Sequence, residues 1–317
     1  MPESPLSASP YEVLGVDARV SDDQLKRAYR RRLRETHPDT GGSAAEFRAV
    51  QDAWERVGTP EARATFDRTR SPFTGGGGAA GADADDERVW ATSRTEGARR
   101  DTRPKARSYG HPGGWRRERY LAMMREWVGR GAPLDDPYDP TLVRGAPYEI
   151  RHTLADALAE EATARSTAEL GIGYTVWHDV LAHDGGKIDH LVLGPTGLFA
   201  LQSEDYGGPV AVKRGELIPA APGVQLDGRP AHDLADRARH LGRLFKVRFA
   251  GAIIVLPDDA LESPVESIGS HRGIVLLAVQ RSVLAHLLRS GVPGVPRAAG
   301  LDLFEVRSRV QQGVRFI

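Results

Sequence analysis

Apolar residues recur every three or four positions through the first part of the chain. Leu25, Ala28, Tyr29 and Leu33 form one stripe, and Phe47, Val50, Ala53, Trp54 and Val57 form a second. This spacing predicts two amphipathic helices. Ser21 is placed to cap the first, with Asp22 and Asp23 in the first turn, where negative charge is favoured. That helix ends at His37-Pro38-Asp39, because proline disfavours helix at the residue before it. Tyr11, Val13, Leu14 and Val16 lie upstream to close the core. The prediction is an antiparallel helical hairpin with a polar loop at its tip. Lys26, Arg27, Arg30, Arg31 and Arg34 fall off the apolar stripe and make one side of the first helix basic.

The periodicity then stops. Residues 71–113 are dominated by Gly, Ala, Asp, Arg and Pro, as in SPFTGGGGAAGADADD, and have little to bury against the entropy of ordering. They are read as a flexible, disordered linker. Residues 114–150 are read as a connecting helix and loop. Tyr120, Leu121, Met124, Trp127 and Val128 share a stripe that docks on the second domain, and Gly131 and Pro133 stop the helix. From 151 to 317 helical and strand patterns alternate, the mark of an α/β domain. HTLADALAEEATARSTAEL reads as a helix with Leu154, Leu158, Ala162 and Ser166 roughly on one face. IDHLVL and GLFALQS read as strands joined by the turn GPTG, with Pro209 to Lys213 as the third strand of a meander. A helix over Ala231 to Lys246, the strands GAIIVLP and GIVLLAV, and the helix RSVLAHLLRS complete the series.

Composition excludes several classes. The 317 residues contain no cysteine, which removes disulfides, thiolate metal sites and a cysteine nucleophile. Forty-three basic residues balance 43 acidic ones, so net charge offers no general argument for nucleic acid. Locally, Arg94 to Arg119 holds nine basic residues against three acidic, with Tyr109, His111 and Trp115 among them, a candidate for phosphate contact. No apolar run approaches the ~20 residues that span a bilayer, and the first residues lack the basic start and apolar core of a secretory signal. The expectation is a cytoplasmic protein with no membrane partner.

YEVLGV, LKRAYRRRLRETHPD, FRAVQDAW and PEARATFD succeed one another in the order and spacing of the J domain of the DnaJ family. Residues 9–70 are identified as a member of that family, with Phe66 where the family usually has tyrosine. The resemblance implies that His37, Pro38 and Asp39 contact a DnaK-type chaperone ATPase and stimulate its ATP hydrolysis. It also implies that Lys26, Arg27, Arg30 and Arg31 dock on an acidic surface of that ATPase, where fixed charge speeds encounter and sets orientation. No CxxC pair is present, so the zinc-binding region of the full DnaJ type is absent. The client is left open.

YTVWHDV, IDHLVLGPTGLFALQ and YGGPV resemble the nuclease-related NERD domain, with the likeness covering a core at about 155–280. The resemblance implies a restriction-endonuclease-like fold in which a helix glutamate, a strand aspartate and a Glu-x-Lys pair hold Mg²⁺ and steady a phosphate. Glu161 or Glu160 matches the glutamate and Asp189 the aspartate, but Gln202 and Glu204 stand where the Glu-x-Lys pair should be. The helix that carries a glutamine in that family, Ala231 to Lys246, has none. The preferred reading is a domain without catalysis, metal or cofactor, which recruits a client or nucleic acid. The alternative is a Mg²⁺-dependent nuclease rewired around Glu161, Asp189 and Glu204, with Lys213 or Lys187 as the cation.

Overall fold

The computed structural model describes residues 5–6, 9–37, 44–69, 104–129, 131–220, 224, 226, 228–295 and 302–317. The described chain divides into a helical N-terminal unit and a mixed α/β unit.

Four helices make the first unit: α1 Pro10–Val13, α2 Asp22–Glu35, α3 Ala44–Val57 and α4 Pro60–Thr69. Ser9 and Ser21 start α1 and α2 through capping boxes with Glu12 and Gln24, which satisfy orphan N–H groups at both ends of the exchange. The two stripes read from sequence meet in one core, where Tyr11, Leu14, Leu25, Val50, Ala53 and Val57 are buried. Tyr29 stacks on Trp54 with centroids 4.3 Å apart. Phe66 packs edge-on against Tyr11, whose hydroxyl donates to Asp67 at 3.1 Å. Arg63 fastens α4 by donating to Asp22 and to the carbonyls of Ala18 and Val20. Residues 70–103 lie outside the described residues, and so does most of the segment read as linker.

The second unit begins earlier than composition suggested. Strand β1 (Arg107–Tyr109) falls within the segment assigned to the linker, yet it pairs in parallel with β2 (Thr175–Leu181) at the edge of the main sheet. Its three residues are exposed, so no apolar alternation announced it. Three helices come next: α5 Gly114–Val128, α6 Pro140–Gly145 and α7 Tyr148–Ala168. Tyr120 and Met124 of α5 are buried with Val143, Ile150 and Leu154, so the predicted stripe docks on α6 and α7. After β2 come β3 (Lys187–Gly194), β4 (Gly197–Ser203), β5 (Val210–Lys213), β6 (Glu216–Pro219), α8 (Pro230–Phe245), β7 (Gly251–Leu256), β8 (Val265–His271), β9 (Ile274–Gln280), α9 (Arg281–Ser290) and α10 (Leu303–Gly313).

Seven strands form one mixed sheet in the order β1-β2-β3-β4-β7-β9-β8. The antiparallel meander is β2-β3-β4. β5, expected as its third strand, instead pairs with β6 in a separate ribbon. One apolar cluster joins the sheet to Leu234, Ala238, Leu241 and Phe245 of α8 and Val310 of α10. Another joins it to Leu284, Leu287 and Leu288 of α9. The central strands are thus covered by helices on both faces, which accounts for their unbroken apolar runs. No described helix is long and apolar enough to cross a membrane.

Candidate functional site

Helix α7 carries a titratable residue every four positions: His152, Asp156 and Glu160. This spacing keeps them on one side of the helix. That side meets the ends of β2, β3 and β4, which supply Asp179, Lys187, Asp189, Gln202 and Glu204. All eight except His152 are buried. Asp179 adopts a left-handed backbone (φ 51°), which aspartate tolerates better than most residues.

Two cations lie inside this ring of carboxylates. Lys187 Nζ donates to Glu160 and Asp179 and lies 3.2 Å from Asp189 Oδ1. Arg116 of α5 is bonded to Asp156 Oδ2. It lies 3.5 Å from Glu160 Oε2, 3.7 Å from Asp189 Oδ2 and 3.9 Å from Glu204 Oε1. Gly113 makes this delivery feasible. Its φ is +77°, and a Cβ there would sit 3.1 Å from the Ala157 carbonyl and 3.0 Å from Glu161 Cγ, so only glycine lets α5 start this close to α7.

Burial sets the charge state. It pushes Glu160 up to about 9, with Asp189 adding to the rise. Burial likewise raises Asp156 and Glu204 to about 7, against the pull of Arg116. Burial would raise Asp189 too, but Lys187 and Arg116 outweigh it and hold that carboxyl below its ordinary value. Lys187 and Arg116 stay protonated, because Asp189 and Asp156 respectively lead the charges that override their own burial. The site at neutral pH is therefore an anionic Asp189 between two fixed cations, with Glu160 holding its proton. Burial and then the charges of Glu204 and Asp156 drive the Tyr206 phenol well above its ordinary range. Next to the cluster a neutral chain runs through His178 and His190, whose Nδ1 atoms are 2.7 Å apart. Ser108 Oγ is 2.8 Å from His178, and burial lowers both histidines.

Mg²⁺ at the position implied by the nuclease resemblance does not fit these residues. Asp189 Oδ2 accepts the Ser203 N–H at 2.8 Å and faces Arg116, while Oδ1 faces Lys187. Gln202 brings no charge, and its amide donates to Glu204 at 3.0 Å. The two side chains share a face, as strand alternation predicts. Of the alternative catalytic set, the structure brings Asp189 and Glu204 together. Glu161 points instead to α5, where Arg117 holds it through two hydrogen bonds of 2.6 and 3.0 Å, and its neighbour Glu160 enters the cluster. Lys213 is exposed at the end of β5, in register with Glu216, and the cation supplied is Lys187. Arg116, His152, Asp156 and Asp179 were not anticipated. Only the four-residue recurrence of His152, Asp156 and Glu160 was visible as a signal. Of the basic segment 94–119, Arg116 and Arg117 are committed to carboxylates, and residues 94–103 lie outside the described residues.

In the N-terminal unit, Lys26, Arg27, Arg30 and Arg31 are exposed along α2. Arg31 lies 3.9 Å from Glu35. His37 is half-buried, its ring edge-on to Phe47 with centroids 5.1 Å apart. Pro38 and Asp39 lie outside the described residues.

Residues 9–67 match the family of the DnaJ domain, and residues 155–256 match that of the nuclease-related domain. The N-terminal part is similar to Chaperone protein DnaJ 1 of Cutibacterium acnes, 46% identical over 70 residues, or 22% of this chain and 18% of that protein. It is also similar to Chaperone protein DnaJ of Rippkaea orientalis, 40% identical over 84 residues, or 26% of this chain and 22% of that one. Chaperone protein DnaJ 2 of Nocardia farcinica is 44% identical over 71 residues, 21% of this chain and 18% of its own length. The chain thus spans about a fifth of the length of these curated relatives.

Proposed function

We propose that this chain, which joins a J domain to a nuclease-related domain, is a co-chaperone that binds a DnaK-type ATPase and stimulates its ATP hydrolysis. The match over residues 9–67 carries this reading, together with the basic face of α2. Lys26, Arg27, Arg30 and Arg31 steer the encounter with an acidic surface, and His37, Pro38 and Asp39 make the contact that triggers hydrolysis. The second domain acts as a recruiting module for a client or nucleic acid, in the cytoplasm, without chemistry of its own. Its support is the pair Arg116 and Lys187, which neutralise the carboxylates a nuclease would give to Mg²⁺.

Single-turnover ATP hydrolysis by a DnaK-type chaperone tests the first half. The wild type should stimulate it and His37→Gln should not, with circular dichroism unchanged. Equal stimulation by the variant would overturn the mechanism. A cleavage assay in Mg²⁺ and Mn²⁺ tests the second half. Cleavage abolished by Asp189→Ala would establish the rewired nuclease instead. Nucleic acid binding through 94–119 should, if present, weaken steeply between two salt concentrations.

A further inference from the structure

At one end of the buried cluster a histidine joins two of the carboxylates that Arg116 approaches from one side only. His152 Nε2, Asp156 and Glu204 each offer a donor atom, and the three lie within 4.8 Å of one another. Arg116 engages Asp156 through Oδ2 and approaches Glu204 at Oε1. Asp156 Oδ1 lies on the other side, 3.6 Å from His152 Nε2, where it also accepts the Asp205 N–H at 3.2 Å.

Buried atoms without a hydrogen-bond partner in the protein include His152 Nε2 itself, Gln202 Oε1, whose amide nitrogen donates to Glu204, and the hydroxyls of Tyr148 and Tyr206, whose rings stack on His152. Tyr206 is only 3% exposed, and its ring lies against that of His152. Buried polar groups are ordinarily paired, so orphan atoms on His152 and on the side chains that touch it and Glu204 point to a ligand. The imidazole is also held in plane. It stacks on Tyr148 at 5.3 Å and on Tyr206 at 6.1 Å.

We propose that His152, Asp156 and Glu204 bind a divalent transition-metal cation, Zn²⁺ or Mn²⁺, displaced along α7 from the position a nuclease would use. An imidazole nitrogen with two carboxylates is a donor set for these ions, whereas Mg²⁺ prefers oxygen alone and keeps its waters. Bond lengths of about 2.0–2.2 Å require the three donors to draw together slightly, a matter of side-chain rotation. The orphaned carbonyl of Gln202, whose amide nitrogen donates to Glu204, is the group to complete the shell or to orient a bound water. Glu204, which removes the lysine of the nuclease motif, thereby gains a role. The inference does not depend on the chaperone reading, since it needs no partner protein.

The test is calorimetric titration of the full-length, EDTA-treated chain with Zn²⁺, Mn²⁺ and Mg²⁺ separately, with metal content measured after dialysis. One Zn²⁺ or Mn²⁺ per chain is expected, with Mg²⁺ binding at least 100-fold weaker. Glu204→Gln and His152→Gln should each weaken binding 10-fold or more. Glu204→Gln keeps the side chain's shape and removes a buried charge, so its metal-free melting temperature should not fall, and lost binding then cannot be blamed on unfolding. A rival pair of zinc ligands away from the cluster is His183 and His240, which stack at 4.0 Å. His240→Gln should leave binding intact. No binding by the wild type, binding retained in Glu204→Gln, or binding lost in His240→Gln would each overturn the proposal.

Discussion

Replacing Glu160 with glutamine isolates the cost of burying its charge. Glu160 is fully buried against Lys187 and beneath Asp189, and its pKa is raised from an ordinary 4.5 to about 9. Between these values the folded domain keeps a proton that the unfolded chain has released. A carboxyl shifted in this direction therefore removes stability as pH rises, with the loss beginning near 4.5 and complete above about 9. Each pH unit in that window costs about 1.4 kcal/mol, so from pH 5 to pH 8 this one group takes away on the order of 4 kcal/mol. Glutamine keeps the size and the carbonyl that accepts from Lys187, and it cannot ionise. Glu160→Gln should match the wild type to within about 1 kcal/mol at pH 5 and exceed it by on the order of 4 kcal/mol at pH 8. Urea denaturation of both full-length proteins at the two pH values, monitored by near-ultraviolet circular dichroism, measures this. Trp177 is fully buried and reports on the second unit, while the N-terminal transition is common to both proteins. A variant that is less stable than wild type at pH 8 would refute the reasoning. It would mean that Glu160 is ionised and that its ion pair with Lys187 outweighs desolvation.

Lys187→Met removes the ammonium from Asp189, Glu160 and Asp179 and should destabilise the second unit by about 3–5 kcal/mol at pH 7, read as a lowered melting temperature, with a smaller loss in acid. Arg27→Glu with Arg30→Glu should lower the association rate with a DnaK-type chaperone at least 10-fold at low salt, and the gap should narrow at high salt. Gly110→Ala should detach β1 from the sheet edge. Gly110 has φ +88°, and an added Cβ would sit 2.3 Å from the His178 carbonyl. A cost of roughly 1–3 kcal/mol and faster amide exchange at Trp177 would be the readouts.

The elements that the sequence specifies well are those whose packing is local or repetitive. The stripe Leu25, Ala28, Tyr29 and Leu33 needs only helical geometry to predict a buried face, and the core of the first unit is built on it. The same holds for β3, β4, β7 and β9, where β-branched runs buried on both sides mark central strands. Strand β1 was missed because its three residues are largely exposed and carry no apolar alternation, its pairing with β2 resting on the backbone ladder and on polar Ser108. Strand β8 buries only Ile268 of its seven residues, so no apolar run marked it either. The ribbon β5-β6 was misassigned because alternation identifies a strand without naming its neighbour.

In the buried cluster, the sequence by itself placed Gln202 and Glu204 on one side of the end of β4, at positions where the nuclease resemblance implies a Glu-x-Lys pair. It did not determine which side chains would answer the charges around them. Arg116 reaches Asp156 across 40 residues of chain, and Lys187 reaches Glu160 across 27. Those meetings depend on α5 crossing α7 at Gly113 and on α7 lying over the ends of β2, β3 and β4. The tertiary structure also decided between Glu160 and Glu161, since neighbours on a helix point about 100° apart and only one can face the sheet. Burial then set the protonation of each carboxyl. The charge state of a side chain depends on how much water its neighbours exclude, and no reading along the chain contains that quantity.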